Sequence, residues 1–444
     1  MTTEEKMEVR DNLNTENKRQ NEKKARPGMK LLLIAGMCVA FFIPQLLLKD
    51  LVNDRKCTER DAESEVFQKW GGNQTLVGPF IEVTYTADST RKDRFTMLLL
   101  PEKLDVKGDV STKALKRGIY DFTVYETSLN LTGQFKLPKD FDKNLPGKVW
   151  NFKDARIVID MTNLKGLRDN VTFNLDGTKY DMEASGDYWT GLSCPLNLTS
   201  LLEGKTLDFS ITIPFKGSGN LMFAPVGQTT TVNLNSDCTT PSFDGYYLPD
   251  ERNVNDAGFQ ASWKILAINR DYPQFLSRNS NNNQLLMSST FGVELKVPVE
   301  QYQQTDRAIK YAFLIILLTF AAVFFVEMRK AKPVHPVQYL LVGIALTIFY
   351  TLLLSFSEHM NFGLSYLIAS VMTIGMIVVF MASVTKDKKT ALGIGLLLAV
   401  LYAFVYVLLQ LESYALLVGS VGLFIILGIA MFATQKIDWY KKKD

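Results

Sequence analysis

Apolar and polar positions follow two different rhythms along the chain. Residues 31–48 form one nearly unbroken apolar run, and five more such runs are packed between residues 308 and 434. An α-helix needs ~20 apolar residues to cross the hydrocarbon core of a bilayer. Residues 49–307 contain no run of that kind, and period two takes over there. Leu207, Phe209, Ile211, Ile213 and Phe215 alternate with polar residues, as do Phe291, Val293, Leu295, Val297 and Val299. Alternation of this kind puts one side-chain set on one face of a strand. Val171, Phe173 and Leu175 lead into Asp176-Gly177, a hairpin-turn pair, and Tyr180 and Met182 resume the alternation. Residues 118–135 change phase, from Phe122 and Val124 to Leu129, Leu131 and Phe135. A bulge or turn at residues 126–128 is expected to absorb the slip. At residues 59–70, Ala62, Val66 and Trp70 recur at four-residue spacing, so the first span is expected to continue outward as a helical stalk until Gly71-Gly72 stops it.

These rhythms predict a membrane protein with an all-β-rich domain, sandwich-like and mostly antiparallel, over residues 49–307. It is inserted between a first transmembrane helix (31–48) and a five-helix C-terminal bundle (308–434). The bundle spans are expected near 308–326, 337–356, 362–384, 391–409 and 414–434. Segments 1–30 and 435–444 are basic and polar. One β domain and two stacked sub-domains fit the pattern equally. The first run is long for a signal peptide and no A-x-A site follows it, so it reads as an uncleaved signal anchor. Met37 stands before Cys38 where a lipoprotein box needs a small residue. Pro44 is expected to kink this helix.

Charge orients the layout. The net charge is only +3, but Lys and Arg cluster before the first run, at Arg329, Lys330 and Lys332, at Lys386, Lys388 and Lys389, and at Lys436 and Lys441–Lys443. The alternate connections, 357–361 and 410–414, have no Lys or Arg and hold Glu358 and Glu412. Short basic loops stay cytoplasmic. Both termini are then cytoplasmic and the β-rich domain is translocated, periplasmic in a bacterium. The basic clusters are topology signals, and no nucleic-acid partner is expected.

The β-rich region offers little catalytic chemistry. The only histidines are His335 and His359, so residues 49–307 hold no Ser-His-Asp or Cys-His system. No H-E-x-x-H motif or paired-cysteine zinc spacing occurs. Carboxylates such as Asp181 and Glu183 are plentiful and a glycosidase needs only two, but nothing in the sequence singles out a pair. Trp150, Trp189 and Trp263 suit core packing or a ligand surface. Of the four cysteines, Cys38 lies in the first span. Cys57, Cys194 and Cys238 allow at most one disulfide, with Cys194–Cys238 one option and free buried thiols another. Four Asn-x-Thr tripeptides carry no meaning in a bacterium. No catalytic residue, cofactor or metal is predicted.

In the bundle, Ala391, Gly395, Ala399 and Ala403 form a small-residue ridge suited to close helix packing. Tyr402, Tyr406 and Gln410 run along another face of that helix. Gly343, Tyr350 and Ser357 align seven residues apart on the third span. Tyr350, Ser357, Glu358, His359, Tyr402, Tyr406, Gln410 and Glu412 are therefore the candidate polar seam. Interfacial aromatic belts with interhelical hydrogen bonds explain the same stripes. Ionisable groups are absent from mid-span positions, which argues against ion-coupled transport. His335 and His359 fall on opposite sides of the membrane and cannot share a metal.

Longer stretches resemble the bacterial CreD family of inner-membrane proteins. They include Phe291-Gly292-Val293-Glu294 through Tyr311, His335-Pro336-Val337-Gln338-Tyr339, Ser355-Phe356-Ser357-Glu358-His359, Tyr406 through Leu417, and Asp438-Trp439-Tyr440. Arg117-Gly118-Ile119-Tyr120, Phe223-Ala224-Pro225-Val226-Gly227 and Pro241-Ser242-Phe243-Asp244-Gly245 also match. The chain departs at Ser236-Asp237-Cys238, where the family pattern has an aromatic in place of the cysteine. The resemblance implies a bacterial cytoplasmic membrane and a role in the envelope stress response under a two-component system. It supplies no mechanism. The expected function is a non-enzymatic protein of envelope integrity whose periplasmic domain binds or senses an envelope component: a lipid, glycan or protein. Lipid handling or export along the tyrosine seam, and a membrane-anchored periplasmic hydrolase, are the alternatives.

Overall fold

The structure is a computed structural model describing residues 27–86, 94–137, 148–186, 188–199, 205–295, 300–330, 334–411 and 414–435. The chain divides into two compact units. One is Met1–Thr58 with Val299–Asp444, and the other is Glu59–Pro298.

The helical unit begins with α1 (Pro27–Ala40) and the first part of α2 (Phe42–Trp70), whose residues from Glu59 onward belong to the second unit. The break at Phe41 comes one turn before Pro44, whose missing N–H and ring disturb the preceding turn. Together Lys30–Trp70 form a continuous helical span. α2 therefore carries the stalk, and it ends at Gly71 and Gly72, both at positive φ. Both glycine N–H groups donate to the Phe67 carbonyl, at 3.1 and 2.7 Å.

The strand-built unit holds β1 (Gln74–Thr86), β2 (Arg94–Leu99), β3 (Lys103–Arg117), β4 (Tyr120–Lys136), β5 (Val149–Met161), β6 (Thr172–Leu175), β7 (Thr178–Asp181), β8 (Glu183–Ala184), β9 (Leu192–Leu196), β10 (Thr206–Ser218), β11 (Asn220–Phe223), β12 (Thr229–Ser236), β13 (Ser242–Gly245), β14 (Glu251–Asn255), β15 (Gly258–Leu266), β16 (Phe275–Ser277) and β17 (Phe291–Glu294). A short α3 (Ser280–Ser288) precedes β17. Nine strands form a sheet ordered β13-β17-β11-β1-β5-β9-β8, with β2 on β1 and β16 on β2. Eight form a second sheet, β14-β15-β12-β3-β4-β10-β6-β7. Pairing is antiparallel except for β1–β11 and β12–β3. One hydrophobic core draws residues from both sheets, including Phe80 and Ile157 from the first and Leu129, Phe215 and Trp263 from the second. The strands therefore make one domain.

Asp176 (φ 50) and Gly177 (φ 85) turn the β6–β7 hairpin, which closes at Leu175↔Thr178. The expected bulge at residues 126–128 does not occur. β3 and β4 stay in unbroken register from Lys103↔Gln134 to Arg117↔Tyr120, as do β4 and β10. The phase changes because both faces of this strand end are covered. Tyr125, Leu129 and Leu131 point into the core, while Phe122 meets Phe67 of α2, with ring centroids 6.4 Å apart. Tyr125 also ties the sheets together, its hydroxyl donating to the Asn220 carbonyl at 2.9 Å. Gly217 permits this, because a Cβ there would lie 2.4 Å from the Tyr125 hydroxyl. All four cysteines are free; Cys194 and Cys238 are buried and Cys57 is exposed.

The second run is also reshaped. It is a bent pair, α4 (Glu300–Lys310) and α5 (Ala312–Lys330), broken at Tyr311 with a 41° bend. α6 (Pro336–Ser357), α7 (Phe362–Thr385) and α8 (Lys388–Gln410) follow. Each of these three, like Lys30–Trp70, is long and apolar enough to cross a membrane. The last predicted run is α9 (Ala415–Gln435), whose apolar part Ala415–Ile429 is shorter. Val297, Val299 and the basic segments 1–26 and 436–444 lie outside the described residues.

Candidate functional site

The helical unit gathers aromatic side chains from three helices. Phe349 on α6 is the hub. Its ring centroid lies 4.8 Å from Tyr350, 5.4 Å from Tyr366 on α7 and 4.5 Å from Tyr402 on α8. Tyr406 joins through Tyr366 at 5.3 Å. Tyr350, Tyr402 and Tyr406, predicted from two helices, thus meet in one cluster. Tyr366, which the stripes on α6 and α8 did not reveal, supplies the link. Its signal was the four-residue spacing Phe362–Tyr366–Ser370. The Tyr366 hydroxyl donates to the Tyr402 carbonyl at 2.9 Å, and Ser370 donates to the Tyr366 carbonyl at 2.7 Å. The Tyr350 and Tyr402 hydroxyls are buried without a partner among the described residues.

The rest of the predicted seam separates. Gly343 serves close packing, since a Cβ there would lie 2.2 Å from the Phe41 ring. Ser357 is buried and donates to its own helix at Leu354. Glu358 is held by the Tyr302 hydroxyl at 3.1 Å and by Arg55 at 3.5 Å, while His359 beside it is exposed. Gln410 is exposed at the end of α8. Glu412 lies outside the described residues. The small-residue ridge also divides. Ala391 and Gly395 are buried, and a Cβ on Gly395 would lie 2.4 Å from Val378 of α7. Ala399 and Ala403 are exposed and line a groove of about 390 Å³ together with Gly363, Tyr366, Tyr402 and Tyr406. At the other end of the unit, Lys30 bonds Glu327 and the Val334 carbonyl, and Tyr339 donates to Glu327 at 3.0 Å.

The strand-built unit presents a different surface. The exposed face of its eight-stranded sheet lines up polar residues across strands. One row runs Asn253–Gln260–Asn235–Asp109–Ser128, and the next Glu251–Ser262–Asn233–Lys107–Asn130–Thr212. Five of these eleven side chains are amides, and only Asp109, Glu251 and Lys107 are charged. An open groove of about 490 Å³ crosses the first row and is lined by Asp109, Asn235, Asn253, Asn255, Asp237 and Gln260 among others. Asn235 donates to Asp109 at 2.9 Å, and Asp237 accepts from the Thr112 N–H at 2.8 Å.

Buried charge in this unit is structural. Glu82, 2% exposed, accepts from Trp189 at 2.8 Å, Arg156 at 2.9 Å and Arg278 at 3.2 Å. Burial pushes the Asp160 carboxyl above its ordinary range although the Thr190 N–H and hydroxyl donate to it. Burial lowers Arg270, whose guanidinium binds the Pro225 and Val226 carbonyls. Burial also pushes the Cys194 thiol up to about 11, so it is an inert core residue. Trp189 and Trp263 are buried, not ligand platforms. Asp181, at the end of β7, and Glu183, in β8, are exposed. Among the described residues no group of three or more His, Cys, Asp or Glu could hold a metal.

These features define a class: a membrane protein with a β-rich domain between an N-terminal helical span and a C-terminal helix bundle. A family model described as Inner membrane protein CreD matches residues 26–440. Inner membrane protein CreD of Escherichia coli (strain K12) is 32% identical over 428 residues, covering 93% of each chain. The chain belongs to the CreD family of inner membrane proteins.

Proposed function

We propose that this protein supports envelope integrity without catalysing a reaction, and that its strand-built unit lies in the periplasm and binds a neutral, hydroxyl-rich envelope component, a glycan strand. The amide-rich exposed sheet face with its groove carries this reading. Amides both donate and accept, as sugar hydroxyls do, and the Asp109 and Asp237 carboxylates in the groove are further acceptors. Adjacent strands are ~4.8 Å apart, close to the repeat of one sugar unit, so a chain laid across the strands meets one side chain per unit. The charge alternation of the short connections supports the periplasmic side. The absence of histidine from residues 49–307 supports a binding role over nucleophilic hydrolysis.

Two experiments test it. Full-length protein in detergent should co-sediment with purified insoluble cell-wall glycan, and the double variant Gln260→Ala, Asn235→Ala should reduce the bound fraction several-fold at unchanged thermal stability. Equal sedimentation of both proteins removes the glycan reading. For the side assignment, exposed Cys57 is a native reporter. A membrane-impermeant thiol reagent should label it in cells with a permeabilised outer membrane. In a Cys57→Ser background, Lys386→Cys should stay unlabelled, and the reverse pattern inverts the topology.

A further inference from the structure

The groove between α7 and α8 is independent of the proposed glycan face, and its lining specifies an occupant. At one end the two helices are in close contact, Gly395 against Val378. Toward Gly363 the space between them opens, because Ala399 and Ala403 present only methyl groups where larger residues would fill it. The tyrosines that wall it offer ring surface rather than hydrogen bonds. The Tyr366 hydroxyl is already spent on the Tyr402 carbonyl, and the Ser370 hydroxyl on the Tyr366 carbonyl. The Tyr402 hydroxyl is buried, without a partner among the described residues. Further polar groups collect at the mouth, where the Tyr406 hydroxyl lies 3.0 Å from where a Gly363 Cβ would stand and exposed Gln410 is one turn further along α8. Its rim is exposed and apolar at Leu367 and Val371. Both helices are membrane spans by length and composition. An exposed apolar rim on such a helix faces hydrocarbon, not water. The volume, about 390 Å³, falls within the ~300–1,000 Å³ of ordinary ligand pockets.

We infer that this groove is a lipid site: it holds one hydrocarbon chain of a membrane lipid against the Tyr366–Tyr402–Tyr406 wall, with the lipid's polar group at the Tyr406–Gln410 end. Small residues and aromatic rings bind by close contact, so the site is sensitive to bulk rather than to charge.

The same helix supplies the control. Gly393 is exposed with open space around it, whereas Ala403 lines the groove. Full-length wild type, Gly393→Phe and Ala403→Phe would be purified in mild detergent and weighed intact by native mass spectrometry. Wild type and Gly393→Phe should retain one lipid, and Ala403→Phe should retain at least several-fold less. Equal retention in all three, absence of retained lipid, or a mass showing a second protein copy in its place overturns the proposal. If Ala403→Phe fails to fold, wild type in vesicles with a phospholipid bearing a photoreactive acyl chain decides. Adducts concentrated on α7 and α8 around Tyr366 and Tyr406 support the site. Adducts spread equally over exposed α9 residues such as Leu416 and Phe424 overturn it.

Discussion

The two units of this chain solve the burial of polar groups in opposite ways. The strand-built unit places a carboxylate at the heart of its first sheet and surrounds it. Glu82 is met by two guanidinium groups and an indole N–H, so each oxygen is bonded. The helical unit buries no charge at mid-span among the described residues. Its ion pairs, Lys30 with Glu327 and Arg55 with Glu358, place their carboxylates at helix ends, and its interior carries tyrosine hydroxyls instead. The difference follows from what surrounds each unit. A β sandwich has many strand ends and loops from which Arg and Trp can converge on one anion. A helix in hydrocarbon has already consumed its backbone groups, and an unpaired mid-span ion costs several kcal/mol.

The comparison is sharpest where its partners can be removed. Glu82→Ala removes the anion that Arg156 and Arg278 both bond. Loss of one partner of a buried pair costs about 3–5 kcal/mol, and partial exposure of both arginines argues for the lower figure. Thermal unfolding of the full-length protein, followed by near-ultraviolet circular dichroism, should show a clear drop. An unchanged transition would mean the anion is dispensable. The bundle should respond to shape instead. Gly395→Val forces a methyl group into Val378 and should cost about 1–3 kcal/mol by overpacking. Gly393→Val, two residues away in open space, should lose well under 1 kcal/mol. Equal losses would show that helix propensity, not packing, governs this span.

Smaller effects separate the units by charge. Arg55→Ala removes an exposed partner of Glu358 at 3.5 Å and should shift stability by less than about 1 kcal/mol. High salt should abolish the difference between variant and wild type. The smallest effect concerns Asp160. Its folded pKa is raised above the unfolded value by burial, so its favourable contribution is present below the unfolded pKa and is lost as pH rises through the folded one. Asp160→Asn keeps an acceptor for Thr190 and removes that loss. Its melting temperature should therefore fall less than wild type between acidic and neutral pH, and parallel curves would refute the shift.

Much of the architecture was legible because periodicity is a one-dimensional signal. Alternation at Leu207–Phe215 and the Asp176-Gly177 turn gave strands and hairpin directly. The strand pairing was not legible, because nothing local links Gln74 to Leu221. The phase change in β4 was misread for a related reason. A sequence shows that two faces are apolar, but not that Phe67 from a distant helix covers the second. The site followed the same rule. Tyr402 and Tyr406 were visible as a stripe on one helix, but Tyr366 became their partner only through the α7–α8 crossing. The small-residue ridge was visible too, yet its division into a contact half and an open half depends on where the helices diverge. The amide rows were invisible because each takes one residue from each of several distant strands.

One pairing sets the order of assembly. β1, the first strand, is bonded in parallel by β11, and β11 by β17, which ends at Glu294. The first sheet cannot be completed until nearly the whole insertion has been synthesised. Non-local parallel pairing of this kind closes slowly. The nascent chain must therefore hold β1, an almost wholly buried strand, without its final neighbours until the segment just before the bundle has emerged.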